Sequence, residues 1–291
     1  MNYQTLTPAP ALSAAVESIW IYSGYRPPHL LERVLPSGTV EMIVQLEGSP
    51  FRCYDPVSFA LKQVMHGPLI VGARTEVQVI DTEQQLDVMG VHFKPGGIRS
   101  LFAMPANEFS GMDVPVDAVW NGFGEEIAVR LSQAPSPVRK LKEMERMLLS
   151  RLDAARQPHP AVPAALHRIE QAEVPISVGA LAEDLGLSFR RFIEVFTSHV
   201  GLTPKSYSRI RRFQRALRII HNRRQRSWAD LAFDCGWCDQ AHMIRDFKTF
   251  SGLTPREYES LNVEFMLHVP VEERGQICPI PHAQSMVGLP R

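Results

Sequence analysis

Four cysteines in 291 residues are too few for a disulfide framework, which agrees with a reducing compartment. Long apolar runs are missing too, since nothing approaches the roughly 20 residues that span a bilayer. Met1 to Pro10 has no basic start followed by an apolar stretch, so it does not read as an export signal. These absences predict a cytoplasmic protein with no membrane partner. Net charge is absent as well, with 31 basic and 31 acidic side chains, which excludes both a uniformly basic coat and an acidic solvating protein. The first half shows no nucleophile–base set, metal-ligand cluster or phosphate loop. The expectation is therefore a chain without catalysis, cofactor or metal.

The charge balance hides a split. Residues 1–159 carry 14 basic and 17 acidic side chains, whereas residues 160–262 carry 15 and 11. Within the second block, Lys205 to Arg226 holds nine basic residues and no acidic one. Such a local patch suits an anionic polymer. A solvated face is the alternative reading, and the surrounding motifs decide between them.

The first segment reads as strands followed by helices. Ile19–Ser23, Val40–Leu46, Leu69–Ala73, Val77–Asp81 and Val88–Phe93 are rich in Val, Ile and aromatics and are separated by turn residues. They predict a small, mainly antiparallel sheet or barrel. Helices are expected at Ile98–Ala103, Val116–Leu131 and Pro137–Leu152; in the last, Leu141, Met144, Leu148 and Leu152 form one apolar stripe. That stripe faces a core or a second copy of the chain. Gln157-Pro-His-Pro160, with Pro163 behind it, reads as a solvated linker. The expected division is residues 1–155, a linker at 156–163, an all-helical domain at 164–262, and a tail at 263–291 without an assigned role. The fold class is α+β in two domains.

The helical block repeats itself. Ser177, Leu181, Ala182 and Gly186 recur fifty residues on as Ser227, Leu231, Ala232 and Gly236. Phe192, Phe196, Gly201-Leu-Thr-Pro204 and Tyr207 recur fifty-one on as Met243, Phe247, Gly252-Leu-Thr-Pro255 and Tyr258. Each match has a mechanical reading. Ser177 and Ser227 cap a first helix, and the small Ala182 and Ala232 let a second helix cross closely. Gly186 and Gly236 supply the positive φ of a tight helix–helix turn. Ser188 and Asp239 cap the second helix, whose Phe192 and Phe196, or Met243 and Phe247, point inward. The outward stripes are then Arg190, Ile193, Glu194 and Thr197 in one copy and Gln240, Ala241, Ile244 and Arg245 in the other. Arg and Gln grip guanine and adenine edges bidentately in the major groove. Two such units would read groove segments about one helical turn apart.

Thr203-Pro204 and Thr254-Pro255 each set a cap before a first-turn proline, and Glu257 completes a capping box. Helix starts of this kind suit phosphate. Between the copies, Tyr207–Asn222 predicts a long helix with Arg209, Arg211, Arg212, Arg215 and Arg218 beside an Ile210, Phe213, Leu217 and Ile220 stripe. The candidate phosphate contacts are Thr203, Lys205, Arg211, Arg212, Lys248 and Thr254.

Leu181-Ala182 through Tyr207, and more strongly Asp239-Gln-Ala-His-Met-Ile-Arg-Asp-Phe-Lys248 with Phe250-Ser-Gly-Leu-Thr-Pro255 and Tyr258, resemble the double helix-turn-helix domain of AraC/XylS transcription regulators. The resemblance covers about residues 165–260. It implies base contacts at Arg190, Ile193, Glu194, Gln240 and Arg245. It also implies double-stranded DNA and RNA polymerase as partners, with activation or repression open. Ile193 and Glu194 depart from the longer polar or basic residues common there. Glu194 is open to two roles, accepting from a cytosine amino group or repelling a phosphate. The family pairs this domain with an effector-binding or dimerising N-terminal domain, often a cupin-like barrel. Residues 1–155 resemble instead less characterised N-terminal domains marked by Leu35-Pro-Ser-Gly38 and Phe93-x-Pro-Gly-Gly97. That likeness names no small-molecule effector and leaves a homodimer open.

Cys235-Gly-Trp-Cys238 has dithiol spacing, and His242, Cys278 and His282 extend it to a zinc proposal; the turn role of Gly236 and the lack of a second paired-cysteine motif favour a structural reading. Glu32, Glu41, His66, Arg74 and His92 lie in or beside expected strands. Glu41, Arg74 and His92 are the effector-site candidates, although a half-exposed sheet carries such residues without any ligand. The other reading of residues 1–155 is an enzyme with the helical block as an interaction module, or a purely dimerising domain on a constitutive DNA binder.

Overall fold

The computed structural model describes residues 1–153, 155–172, 176–223 and 227–271. Ten strands lie in the first 115 residues: β1 (Asn2–Leu6), β2 (Val16–Ser23), β3 (Leu31–Val34), β4 (Glu41–Gln45), β5 (Phe51–Tyr54), β6 (Leu61–Met65), β7 (Leu69–Val71), β8 (Gln78–Asp81), β9 (Asp87–Phe93) and β10 (Asp113–Pro115). An eleventh, β11 (His268–Pro270), returns from the far end of the chain. They make two antiparallel sheets, ordered β1-β2-β9-β4-β7-β10 and β11-β3-β8-β5-β6.

Alternation along β2 sorts its side chains. Ile19 and Ile21 lie on one face, buried with Leu141, Met144 and Leu148 of α3 (Pro137–Arg151), and Trp20 and Tyr22 stack on the other. On that second face the register sets Ser18, His92, Glu41, Val71 and Asp113 in one row. The opposite sheet answers with Glu32, Ile80 and Cys53 in a row. The two faces meet where Gln78 Nε2 donates to Asp113 Oδ2 at 2.5 Å, with the Cys53 thiol 3.6 Å away.

The stretch expected as one helix over Val116–Leu131 is two, α1 (Val116–Val119) and α2 (Phe123–Gln133), because Gly122 takes φ +72° between them. The short Ile98–Ser100 turn is a 3-10 helix. Beyond α3 come α4 (Ala161–Gln171), α5 (Val178–Asp184), α6 (Phe189–Val200), α7 (Pro204–His221), α8 (Trp228–Asp234), α9 (Gln240–Ser251) and α10 (Pro255–Ser260). No helix among the described residues is long and apolar enough to cross a membrane.

The expected linker over 156–163 is shorter than that: Gln157 and Pro160 are exposed, but from Ala161 on the chain is already α4, where Ala161, Val162, Ala165 and Ile169 form a buried stripe. Pro163 is accommodated in the first turn, where its missing N–H has no intrahelical partner to lose. Val162 closes on Gly96, where an added Cβ would meet Val162 Cγ1 at 3.1 Å. The tail, for which the sequence offered no role, contributes a strand, since β11 pairs with β3 through Val269↔Arg33. Its short apolar-polar run carries too little periodicity to announce a strand, and the partner edge supplies the pairing.

The helical block rests on the sheets at further points. Gln214 Nε2 donates to the Pro36 carbonyl, and Gly38, at φ +77°, leaves room for Ile210 Cγ2. At the end of α6, the Cβ position of Gly201 lies 3.2 Å from the Ala106 carbonyl and 3.5 Å from Ala73 Cβ.

Candidate nucleic-acid interface

Each repeat folds as a helix–turn–helix, α5–α6 and α8–α9. Gly186 and Gly236 adopt φ +69° and +83° in the turns, a left-handed conformation that other residues resist. Ser177 and Ser227 accept from the backbone N–H groups of Ala180 and Asp230. Ser188 and Asp239 do the same at the starts of α6 and α9, accepting from Arg191 and His242. Thr203 accepts from Ser206 N, while Thr254 and Glu257 form the reciprocal box. α6 and α9 both pack against α7, which is their shared support.

The residues expected to meet bases separate into two groups. Arg190, Glu194, Gln240 and Arg245 are exposed, whereas Ile193 is half-buried. Of the neighbouring stripe, Ala241 is exposed, and Thr197 and Ile244 are half-buried. Glu194 already has a cation, since Arg191 Nη1 lies 3.2 Å from its carboxylate. Arg191, exposed beside Arg190, was not among the expected readers; its place one residue past the outward stripe gave no periodic signal.

The expected phosphate contacts are also unequal. Thr203, Lys205 and Lys248 are exposed, while Thr254 is half-buried and committed to its cap. Arg211 is half-buried, 3.6 Å from Glu170. Arg212 is turned inward: Nη1 donates to the Gly236 carbonyl at 2.9 Å, the guanidinium lies over the Trp237 ring, and Asp246 is 3.8 Å away. Burial holds the Arg212 guanidinium below its ordinary range, with Asp246 opposing that shift. Arg224 and Arg226 lie outside the described residues.

Asp246 organises this corner and was not anticipated. It accepts from Arg209 Nη2 at 2.6 Å and from Trp237 Nε1 at 2.9 Å. Burial alone would raise its pKa, but these hydrogen bonds and the Arg209 charge hold it below the usual carboxylate range. Cys235, just before the turn glycine Gly236, is buried, with burial pushing its thiol up to about 12, and Cys238 is exposed. Cys278 and His282 lie outside the described residues.

Among the N-terminal candidates, Glu41 and His92 form a pair, 3.4 Å apart. Burial opposes both charges, yet the pairing lowers the Glu41 pKa and raises that of His92. The Trp20 ring sits 5.5 Å from His92, and its buried Nε1 has no acceptor among the described residues. Arg74 lies elsewhere in the same inter-sheet space and pairs with Asp113, beside Cys53. Burial, then the Asp113 charge, pushes the Cys53 thiol up to about 12. His66 is exposed and joins neither group. Glu32 is fully buried, with Tyr25, His29, Gln85 and His268 around it.

Two capped helix–turn–helix units on one supporting helix define a double helix-turn-helix domain. Residues 181–260 match the model of a helix-turn-helix domain, and residues 4–115 match a domain of unknown function, DUF6597. The C-terminal unit is thus a helix-turn-helix domain. An uncharacterized HTH-type transcriptional regulator of Haemophilus influenzae is 28% identical over 90 residues, which is 31% of this chain and 30% of that one. The chain thus spans about 30% of the length of the curated relative it matches. Among solved structures, an AraC-type regulator from Chromobacterium violaceum is 23% identical, with 36% of this chain and 94% of that chain covered at a TM-score of 0.33. ToxT from Vibrio cholerae is 10% identical, with 92% and 99% covered at a TM-score of 0.47.

Proposed function

We propose that the protein is a sequence-specific DNA-binding transcription regulator whose N-terminal domain responds to a small molecule. The carrying observation is the pair of exposed arginines, Arg190 on α6 and Arg245 on α9, presented by two like units on one support. Each second helix enters a major groove, with Gln240 and Arg245 reading one segment and Arg190 with Glu194 the other. Lys205 and Lys248 contact phosphate, and the helix starts at Thr203 and Thr254 add N–H groups aimed at the backbone. Arg212 supports the fold of the second unit, and its inward partners favour that role over a phosphate contact.

The effector site lies between the sheets. The Glu41–His92 pair, the unpartnered Trp20 N–H and the half-buried Ile43 and Gln78 give that space both charge and apolar surface. The test is selection of genomic fragments by the purified protein, followed by gel shift across a salt series. Binding that prefers selected over scrambled duplex by about a thousandfold or more is expected. Equal affinity for both would overturn the reading.

A further inference from the structure

Tyr207 and Tyr258 are equivalent residues of the two repeats, both buried, yet their hydroxyls go to different kinds of partner. Tyr207 donates to Glu170 Oε1 of α4 at 3.2 Å. Tyr258 donates to the Met266 carbonyl at 2.9 Å. The helix ahead of the first unit and the chain behind the second therefore occupy corresponding places. Both also reach the sheets, α4 through Val162 against Gly96 and the trailing segment through β11.

The trailing segment is built into the second sheet. Leu35 N donates to Leu267 O at 2.9 Å and Val271 N to Leu31 O at 3.0 Å, on either side of β11. Val269 is fully buried, and Phe265 meets the Tyr25 ring edge-on at 5.8 Å. His268 Nδ1 lies 3.0 Å from Glu32 Oε2, inside the space between the sheets. β3 touches the second unit directly as well, since Arg33 Nε is 3.8 Å from the Cβ position of Gly252, the residue that ends α9. From Met266 a continuous path runs through Tyr258 to Phe247, with ring centroids 5.8 Å apart, and Phe247 is on the inner stripe of the proposed reader helix.

We propose that residues 263–271 are a strap by which the N-terminal domain positions the second helix-turn-helix unit, with His268 as the positioning residue that joins the strap to Glu32. Residues around that joint are Tyr25, His29 and Gln85 on Glu32, while Glu41 is close enough for His268 to lower its pKa. A change in the inter-sheet space that alters Glu32 then alters how firmly the strap, and hence α9, is held. The inference rests on the DNA-reading function for its second half only; docking of the strap stands apart from it.

The test compares full-length wild type, His268→Ala and His268→Gln by hydrogen–deuterium exchange and by affinity for duplexes changed one base at a time. His268→Ala should speed exchange about tenfold in peptides spanning 263–271 and 31–35 without changing those from 189–200. It should also lower discrimination about fivefold or more at bases assigned to α9, leaving those assigned to α6 unchanged. His268→Gln, which keeps a donor to Glu32, should restore both. Unchanged exchange in His268→Ala would overturn the strap. Faster exchange with both base profiles unchanged would overturn its hold on α9, and faster exchange throughout the chain would make the residue a part of the general core. A wild-type protein without sequence preference would sink the DNA reading and the α9 half together, while the exchange result would still decide the docking.

Discussion

Trp237 donates its indole N–H to Asp246 Oδ2 at 2.9 Å, tying the turn of the second unit to its proposed reader helix. The corresponding residues of the first repeat are Leu187 and Val195, so that copy has apolar side chains where the second has a hydrogen-bonded pair. In the second copy, Asp246 is 3% exposed and also holds Arg209 and Arg212. Removing the carboxylate leaves two partly buried guanidinium groups without their counter-charge, which costs more than the lost hydrogen bond alone. Asp246→Ala should therefore lower stability by about 2 to 4 kcal/mol, read by denaturant unfolding, against about 1 kcal/mol or less for an exposed-site control such as Thr249→Ala. A loss under about 0.5 kcal/mol would contradict the network.

Much of the second half was legible because helix boundaries are written in local chemistry. Ser188, Asp239, Thr203 and Thr254 cap where expected, and Gly186 and Gly236 turn where expected, since each needs only its neighbours along the chain. Asp246 gave no signal along the chain because its partners, Trp237 in the turn and Arg209 and Arg212 on α7, converge on it only once α7 packs against the second unit. The sheets were harder. β4 alternates in burial and the centres of β2 and β9 are buried on both faces, whereas β6 is an edge whose Leu61 to Val64 are all exposed, so it carries no inward pattern. β11 was illegible for a different reason: its pairing residues, Glu32 to Val34, lie more than two hundred positions away. The Leu35–Gly38 and Phe93–Gly97 segments were visible as motifs, and their task, giving α7 and α4 a surface to approach, required the coordinates.

The turn glycines make a graded prediction. Gly186 has φ +69° with nothing within 4 Å of an added Cβ, so Gly186→Ala meets backbone strain alone. That costs about 1 to 2 kcal/mol. Gly236 is buried at φ +83° and its carbonyl accepts from Arg212. Gly236→Val adds β-branching and crowding, and should cost about 3 kcal/mol or more, seen as a lowered denaturation midpoint with loss of DNA binding. A fully stable Gly236→Val protein would show the turn to be elsewhere.

Acid should expose the Glu32 site. Desolvation alone would raise this carboxyl, but His268, Tyr25 and His29 together hold it at about 2. Because the folded value lies below the unfolded one, the stabilisation is complete above about pH 4.5 and is lost as pH falls toward 2. The difference corresponds to something on the order of 3 kcal/mol for a side chain that is 1% exposed. Unfolding free energies measured between pH 5 and pH 2 should fall more steeply in wild type than in Glu32→Gln. Parallel slopes would show that the depressed pKa makes no net contribution.

Arg245 and Lys205 separate reading from gripping. Arg245 is exposed on α9 and Lys205 is exposed on the first turn of α7, so neither substitution should disturb the core. A guanidinium bidentate to one base edge loses both hydrogen bonds in Arg245→Ala, which should cost about 1 to 3 kcal/mol and flatten discrimination at a single position. A lysine on a phosphate acts through released counterions, so Lys205→Ala should weaken every duplex alike and reduce the slope of log affinity against log salt by about one. Arg211→Ala should behave as Lys205→Ala does only to the extent that its guanidinium leaves Glu170, 3.6 Å away, when DNA arrives. Gel shifts at three or more salt concentrations, on the selected duplex and its single-base variants, distinguish these outcomes. An Arg245→Ala protein that keeps full selectivity while its salt slope drops would move Arg245 from the bases to the backbone.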